Sequence, residues 1–317
     1  MHKLIVNEWI KIFKRPGTFV MIGLLILGVI ATGVLTKVYS NNKQTANHQW
    51  EQQVEQEIKQ YQQQISELPA TAVSVKKDLE KKVAIDQYRL DHKIPPAKEA
   101  TGWTFIKDSS ALISFAGLFT IIIAAGIVAS EFSWGTVKLL LIRPIKRYKI
   151  LLSKYMTVIL FDLFMLAILF VSAAILGFAL FGTGDGNNVH LAYSNGNVVE
   201  QNMFLYLIKT YLLSSIDVIM ITTMAFMISA VFRNSSMAIG LSIFLLFMGG
   251  TITSLISSRY DWAKYILFAN TDLTQYFDGV PLVKEMTLGF SVFMLLIYFF
   301  VFQLLAFGVF TKRDVAA

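Results

Sequence analysis

Two acids lie inside apolar runs, where a charged side chain is costly and often marks an ion or proton pathway. Asp217 predicts a cation or proton contact, or a wall of a transport path; the alternative is a helix–helix hydrogen bond or a pair with Lys209, two turns away. Asp162 lies near one end of its apolar run and is expected to cap Lys154 or Lys138. The two acids are expected near opposite membrane faces, so no catalytic aspartate pair is predicted.

Motifs for catalysis and nucleotide binding are absent from the sequence. It contains no GxxxxGK[ST] phosphate loop, no HExxH and no GxSxG. Cysteine is absent, which excludes disulfides and thiolate metal sites. The four histidines have no metal-ligand spacing: His2, His48, His92 and His190. We therefore expect no enzyme activity and no cofactor in this chain.

The composition places the chain among membrane proteins. Of 317 residues, 55% are hydrophobic, only 15% are charged, and 25 are Phe. Uninterrupted apolar runs of about 20 residues are long enough to cross a bilayer as helices. The predicted fold class is an all-α integral membrane protein with six transmembrane helices.

The apolar runs and polar intervals define an order of segments. The six predicted spans are 18–39, 109–130, 155–181, 203–232, 236–257 and 287–310. On the cytoplasmic side we predict an amphipathic N-terminal helix at 1–17, a connector at 131–154 and a tail at 311–317. On the outer side we predict an extracytoplasmic helical hairpin at 40–108, a loop of flexible turn residues at 182–202 and an amphipathic or re-entrant aromatic segment at 258–286.

The connector at 131–154 is too short and too charged to lie anywhere but in water beside the membrane. It carries one acid, Glu131, and six cations. Residues 137–142 are apolar but too few to span, so we expect a short amphipathic helix along the membrane surface. Pro144 disfavours helix at Arg143 and should end it there.

The distribution of charge predicts the topology. The segments 1–17, 131–154, Arg233 and 311–317 together carry 13 cations and 3 acids, whereas 40–108 carries ten of each. An excess of Lys and Arg in short loops marks the cytoplasmic side. Both termini are therefore expected in the cytoplasm, in a protein of the cell membrane. The basic net charge of +7 follows from this topology, so no nucleic-acid partner is predicted.

The residues at 129–154, ASEFSWGTVKLLLIRPIKRYKILLSK, carry a family resemblance. They resemble the connector between the second and third spans in permeases of ATP-binding-cassette (ABC) type-2 exporters. The matching positions are Glu131-Phe132, Gly135-Thr136, Lys138, Leu139-Leu140, Pro144, Arg147 and Lys154. The resemblance extends to Asn7-Glu8-Trp9, the six spans and Trp262 to Tyr265, but not to the long hairpin at 40–108.

The resemblance implies a permease that pairs with a second permease copy or relative and with two ABC ATPase subunits, which bind ATP and magnesium. It implies that Phe132 to Arg147 form a coupling helix seated in a groove of the ATPase, with Glu131 and Arg147 making charged contacts. The residues expected to carry this coupling are Glu131, Phe132, Trp134, Gly135, Thr136, Lys138, Leu139, Arg143, Pro144 and Arg147.

Two alternatives remain open from the sequence. A membrane sensor or scaffold, whose outer hairpin binds a partner or ligand without transport, has the same general features. If the protein is an exporter, its substrate is either amphipathic or lipid-like, such as an antimicrobial peptide, or a small cation that contacts Asp217.

Overall fold

A computed structural model describes residues 1–41, 50–69, 73–96, 100–135, 145–184, 189–194, 197–277, 279–283 and 286–312. The α-helices of these ranges are α1 (His2–Phe13), α2 (Pro16–Asn41), α3 (Trp50–Glu67), α4 (Val73–His92), α5 (Gly102–Ser109), α6 (Ile113–Ser133), α7 (Arg147–Phe181), α8 (Met203–Phe232), α9 (Ser235–Ser257), α10 (Leu267–Asn270) and α11 (Leu288–Lys312). One β-hairpin is present in the described ranges, formed by β1 (Val189–Ser194) and β2 (Asn197–Asn202).

Six helical segments in the described ranges are long and apolar enough to cross a membrane. They are α2, α5 with α6, α7, α8, α9 and α11. The protein is therefore a predominantly helical, multi-pass membrane protein. We call the end of the bundle where α6 ends and α7 begins the connector end, and the opposite end the hairpin end.

The centre of the bundle is formed by α6 and α8, which approach closely. A Cβ atom at Gly117 would lie 2.9 Å from Val218, so only glycine allows this approach. Nearer the connector end, the Ser229 hydroxyl donates to Ala125 O at 2.6 Å and accepts from Ala129 N at 3.1 Å. Tyr155 of α7 hydrogen bonds to Thr223 of α8 at 2.9 Å. The hydroxyl groups of Ser229, Tyr155 and Thr223 thus give buried polar atoms hydrogen-bond partners where water is absent. These contacts fix the register of α6, α7 and α8.

The helical hairpin predicted between the first two spans is present as α3 and α4. Val54 and Ile58, which follow Trp50 at helical spacings of four residues, are buried, as is Leu79 of α4. The hairpin also contacts the rest of the hairpin end. Lys81 Nζ donates to Phe277 O at 3.3 Å, and the Tyr88 hydroxyl donates to Glu200 of β2 at 3.4 Å.

Two segments differ from the sequence prediction. The helix of span two begins at Gly102, seven residues before the predicted start, because Thr101 and Thr104 form a reciprocal cap. A short 3-10 turn at Ser110–Leu112 then separates α5 from α6. The predicted flexible loop at 182–202 instead contains the β-hairpin, in which Val189 pairs with Asn202. The Gly and Asn residues of 182–202 dominate its composition and conceal the short strands.

The aromatic segment before the last span consists of short helical turns held by side-chain amides. Asn270 Nδ2 donates to Lys264 O and Ile266 O, both at 2.8 Å, and its Oδ1 accepts from Ser291 of α11 at 2.8 Å. Gln275 Nε2 donates to Ala269 O and Asp272 O. These bonds satisfy carbonyl groups that an unbroken helix would satisfy itself.

Candidate functional site at the connector end

A buried cluster of charges joins three helices at the connector end; we call it the Lys154 cluster, and it comprises Glu8, Lys11, Glu131 and Lys154. Lys154 Nζ donates to Glu131 Oε1 at 2.6 Å, to Glu8 Oε2 at 2.9 Å and to Ile127 O at 3.1 Å. All three protons of the ammonium group are thus used. The Lys154 side chain is only 1% exposed.

The cluster links α1, the last turn of α6 and the second turn of α7. Glu8 lies on the face of α1 that contacts the bundle, and its Oε1 accepts from Lys11 Nζ at 2.6 Å. Lys11 also lies 3.7 Å from Glu131 Oε1. Within the cluster, two acids therefore face two cations, of which Lys11 is 43% exposed. A buried ion pair is tolerated only with such compensation.

Burial disfavours the ionised form of the Glu8 carboxyl group, but Lys154 and Lys11 outweigh it. Their charges and hydrogen bonds hold the pKa of Glu8 below its ordinary value. The ionised form of Glu8 is therefore a stabilising part of the folded protein at neutral pH.

The cluster corrects two expectations. Lys154 was assigned to the aqueous connector, but α7 begins at Arg147 and places Lys154 inside the helical bundle. Asp162 was expected to cap Lys154 or Lys138. That prediction is wrong for Lys154, which contacts Glu8 and Glu131; Lys138 lies outside the described residues.

The predicted coupling residues fall into two groups. Glu131, Phe132, Trp134, Gly135 and Arg147 are described. The other five lie in 136–144, outside the described residues, as does the predicted amphipathic helix at 137–142: Thr136, Lys138, Leu139, Arg143 and Pro144.

The described coupling residues form the start and end of the connector. Gly135 adopts a φ of +69°, a left-handed conformation that favours glycine, directly after α6. Trp134 is 66% exposed, with the Arg15 guanidinium 5.5 Å from its ring centroid. At the return of the chain, Arg147 Nη1 donates to Thr311 O at 3.5 Å.

Phe132 contributes to packing rather than to the exposed surface. The Arg233 guanidinium lies 4.4 Å from its ring centroid, and Phe310 packs edge-on against it at 6.3 Å. Arg233 itself adopts a φ of 56° in the tight turn between α8 and α9. Phe132 therefore connects the start of the connector with the end of α8 and with α11 through these side-chain contacts.

The second candidate residue, Asp217, lies away from this cluster, in the half of α8 nearer the hairpin end. Its carboxylate is hydrogen bonded to Thr271, which follows α10. The Lys209 ammonium group lies over the Phe277 ring, 3.3 Å from its centroid. Of the alternatives for Asp217, this geometry favours a hydrogen bond between elements.

Sequence reasoning missed Glu8, Lys11 and Lys154 as members of one site. Glu8 and Lys11 were assigned to the polar face of an amphipathic helix. The signal that could have revealed this site was a single acid among the cations of 1–17 and a single acid among the cations of 131–154. In the described part of the chain, no group of three or more His, Cys, Asp or Glu residues is placed to hold a metal ion.

The fold and this site define a class: helical multi-pass membrane proteins with a charge cluster at one end of the bundle. Within that class, the chain belongs to the family described as Protein of unknown function (DUF2705), which matches residues 73–316.

Two relatives from Bacillus subtilis (strain 168) are similar to the chain. The uncharacterized protein YhcI is 51% identical over 318 aligned positions, covering 100% of both chains. The uncharacterized membrane protein YdbK is 34% identical over 200 positions, covering 62% of this chain and 76% of YdbK.

Proposed function

We propose that this chain is the permease subunit of an ATP-driven ABC exporter and that a separate ATPase drives it through the connector at 131–154. The observation that carries the proposal is the Lys154 cluster next to the exposed Trp134. The cluster joins α1, α6 and α7, so a force applied to the connector acts on three helices together.

The absence of a phosphate-binding loop supports an external source of energy. ATP and magnesium are therefore bound by the partner, and this chain is not an enzyme. By resemblance to type-2 exporters, the complex contains two ATPase subunits and a second permease copy or relative. The lipid bilayer surrounds the remaining apolar surface.

The proposed topology places the connector end in the cytoplasm of a cell-membrane protein. The excess of cations in 1–17 and 131–154 supports this orientation. Six spans then put both termini in the cytoplasm and the α3–α4 hairpin outside. The short turns at 258–286 form a re-entrant segment, whose backbone Asn270 and Gln275 satisfy.

We propose different roles for the predicted coupling residues. Trp134 is exposed and offers the ATPase a large apolar contact, and Gly135 follows the end of α6 with a left-handed φ. Glu131 serves the cluster instead, because its carboxylate is bonded to Lys154 inside the bundle. We assign the seat of the ATPase to Trp134 and the connector residues that follow it.

The substrate class that fits best is amphipathic or lipid-like. Six apolar helices supply a surface for such molecules, and Asp217 is already bonded to Thr271. A small cation would have to compete with that hydrogen bond.

One observation favours the alternative of a sensor or scaffold. The α3–α4 hairpin contacts the hairpin end through Lys81 and Phe277 O, so a ligand on the hairpin could reach the spans. A sensor of this kind needs no ATPase, which separates the two functions experimentally.

The test is co-purification of an ATPase with the tagged full-length chain, comparing Trp134→Ala with Trp262→Ala. Both tryptophans are exposed, at 66% and 55%, but they lie at opposite ends of the bundle. We expect the wild-type and Trp262→Ala chains to retain the ATPase and Trp134→Ala to lose most of it. Retention of an ATPase by all three at the same level contradicts this seat, and absence of any ATPase from the wild type contradicts the proposed function.

A further inference from the structure

Asp162 is a fully buried acid that the proposed coupling does not use. It lies in α7, eight residues beyond Lys154, which is about 12 Å along the helix. Its side chain is 0% exposed. Neither carboxyl oxygen has a hydrogen-bond partner.

The nearest polar group does not compensate a charge on Asp162. The Thr120 hydroxyl of α6 lies beside the carboxyl group, but it donates to Ala116 O at 3.2 Å. Tyr155, two turns below on α7, is bonded to Thr223.

The helices packed against α7 bring no free cation to this level. The sequence of α6 has no charged residue before Glu131, α2 has none before Lys37, and α11 has none before Lys312. The charged residues of α5, Lys107 and Asp108, lie in the first turns of span two at the hairpin end.

The remaining charges lie nearer the two ends of the bundle. On α1, Glu8 and Lys11 belong to the Lys154 cluster, and His2, Lys3 and Lys14 lie toward its ends. On α8, Lys209 lies over Phe277 and Asp217 is bonded to Thr271.

An isolated carboxylate in such surroundings is much less stable than the neutral acid, so the acid holds a proton instead. A metal ion does not fit the same place. Calcium or magnesium requires about six oxygen ligands, and no group of three or more His, Cys, Asp or Glu residues in the described ranges is placed to hold a metal ion.

We propose that Asp162 is a proton-binding site that stays occupied while α6 and α7 are packed together and releases its proton to water when they separate. Proton binding and helix separation are then linked in both directions: opening the bundle releases the proton, and raising the pH favours opening. This inference does not depend on the proposed ATPase partner.

The test compares thermal unfolding of the full-length wild-type, Asp162→Asn and Thr222→Val chains between pH 5 and pH 8. In the unfolded chain an aspartate ionises near pH 4, whereas the buried acid of the folded wild type keeps its proton to a higher pH. The unfolding equilibrium constant of the wild type relative to Asp162→Asn should therefore rise by up to about tenfold per pH unit.

Thr222→Val is the matched control, because Thr222 is also 0% exposed and its hydroxyl has no hydrogen-bond partner. Its effect on unfolding should not change with pH. A pH-independent difference between the wild type and Asp162→Asn overturns the proposal.

A second measurement uses the wild-type chain alone and so does not require that Asp162→Asn fold. Dicyclohexylcarbodiimide, an apolar reagent, adds to a protonated carboxyl group, whose acyl group then migrates to nitrogen to give a stable acylurea. Peptide mass spectrometry should find this adduct at Asp162, in falling yield as the pH rises. Modification of Asp162 by a water-soluble carbodiimide, to the same extent as exposed Glu51, shows a carboxyl group that is open to water in the folded protein and overturns the proposal.

Discussion

Lys154 Nζ lies 2.6 Å from Glu131 Oε1, although the two residues are separated by the whole connector. This ion pair holds the two ends of the connector together, where α6 ends and α7 begins. Because Glu8 binds the same ammonium group, α1 is held against both helices.

Replacing Lys154 by methionine should destabilise the protein strongly. The change removes the buried cation that contacts both Glu8 and Glu131, while Lys11 remains beside them. Removing one partner of a buried ion pair costs about 3–5 kcal/mol. The control is Lys149→Met, five residues earlier at an exposed position, which should unfold at the wild-type temperature in detergent. Equal unfolding temperatures for Lys154→Met and Lys149→Met contradict the role of the cluster.

The same cluster predicts a loss of stability in acid. The folded protein holds the pKa of Glu8 below its ordinary value, so the unfolded chain binds more protons as the pH falls below about 4.5. The stabilisation from Glu8 is therefore present at neutral pH and disappears through that range. Glu8→Gln lacks this contribution, so its deficit in unfolding temperature should be greatest at neutral pH and should shrink below about pH 4.5. A deficit that stays constant from pH 7 to pH 3.5 is the contrary result.

Gly249 and Gly250 form a matched pair in α9. A Cβ atom at Gly249 would lie 2.6 Å from the ring of Phe268 in α10, whereas one at Gly250 would meet nothing within 4 Å. Gly249→Ala should displace the ring and lower the free energy of unfolding by about 1–3 kcal/mol. Gly250→Ala should leave stability unchanged or raise it by up to about 1 kcal/mol, because alanine favours helix. Thermal unfolding of both variants checks the contact, and equal effects argue against it.

The proposed orientation can be tested with single cysteines, since the chain contains no cysteine of its own. Trp134→Cys and Trp262→Cys place one thiol at each end of the bundle. A membrane-impermeant maleimide added to intact cells should label position 262 and should reach position 134 only after permeabilisation. Labelling of position 134 alone in intact cells places the connector outside and reverses the topology.

The sequence was sufficient to predict the six apolar helices and the helical α3–α4 hairpin. Length and hydropathy determine the former, and the spacing of Trp50, Val54 and Ile58 determines the latter. Such patterns involve residues close together in the sequence, so they can be recognised without knowledge of the tertiary contacts.

The interior of the candidate site could not be predicted in the same way. The sequence does not distinguish a lysine that faces water from one, such as Lys154, that faces two carboxylates. The partners Glu8 and Glu131 are also far apart along the chain. The early start of α5 depended on a cap formed by Thr101 and Thr104, a signal that the neighbouring charges Lys107 and Asp108 obscured.

The central claim is that a nucleotide-hydrolysing partner contacts the connector end. The most direct measurement is photocrosslinking in cells from a benzoylphenylalanine placed at Trp134, with the same residue at Trp262 as the control. The account predicts an adduct between position 134 and an ABC ATPase, identified by mass spectrometry, and no such adduct from position 262. Crosslinking of position 134 to lipid alone, or of an ATPase to position 262 instead, contradicts it.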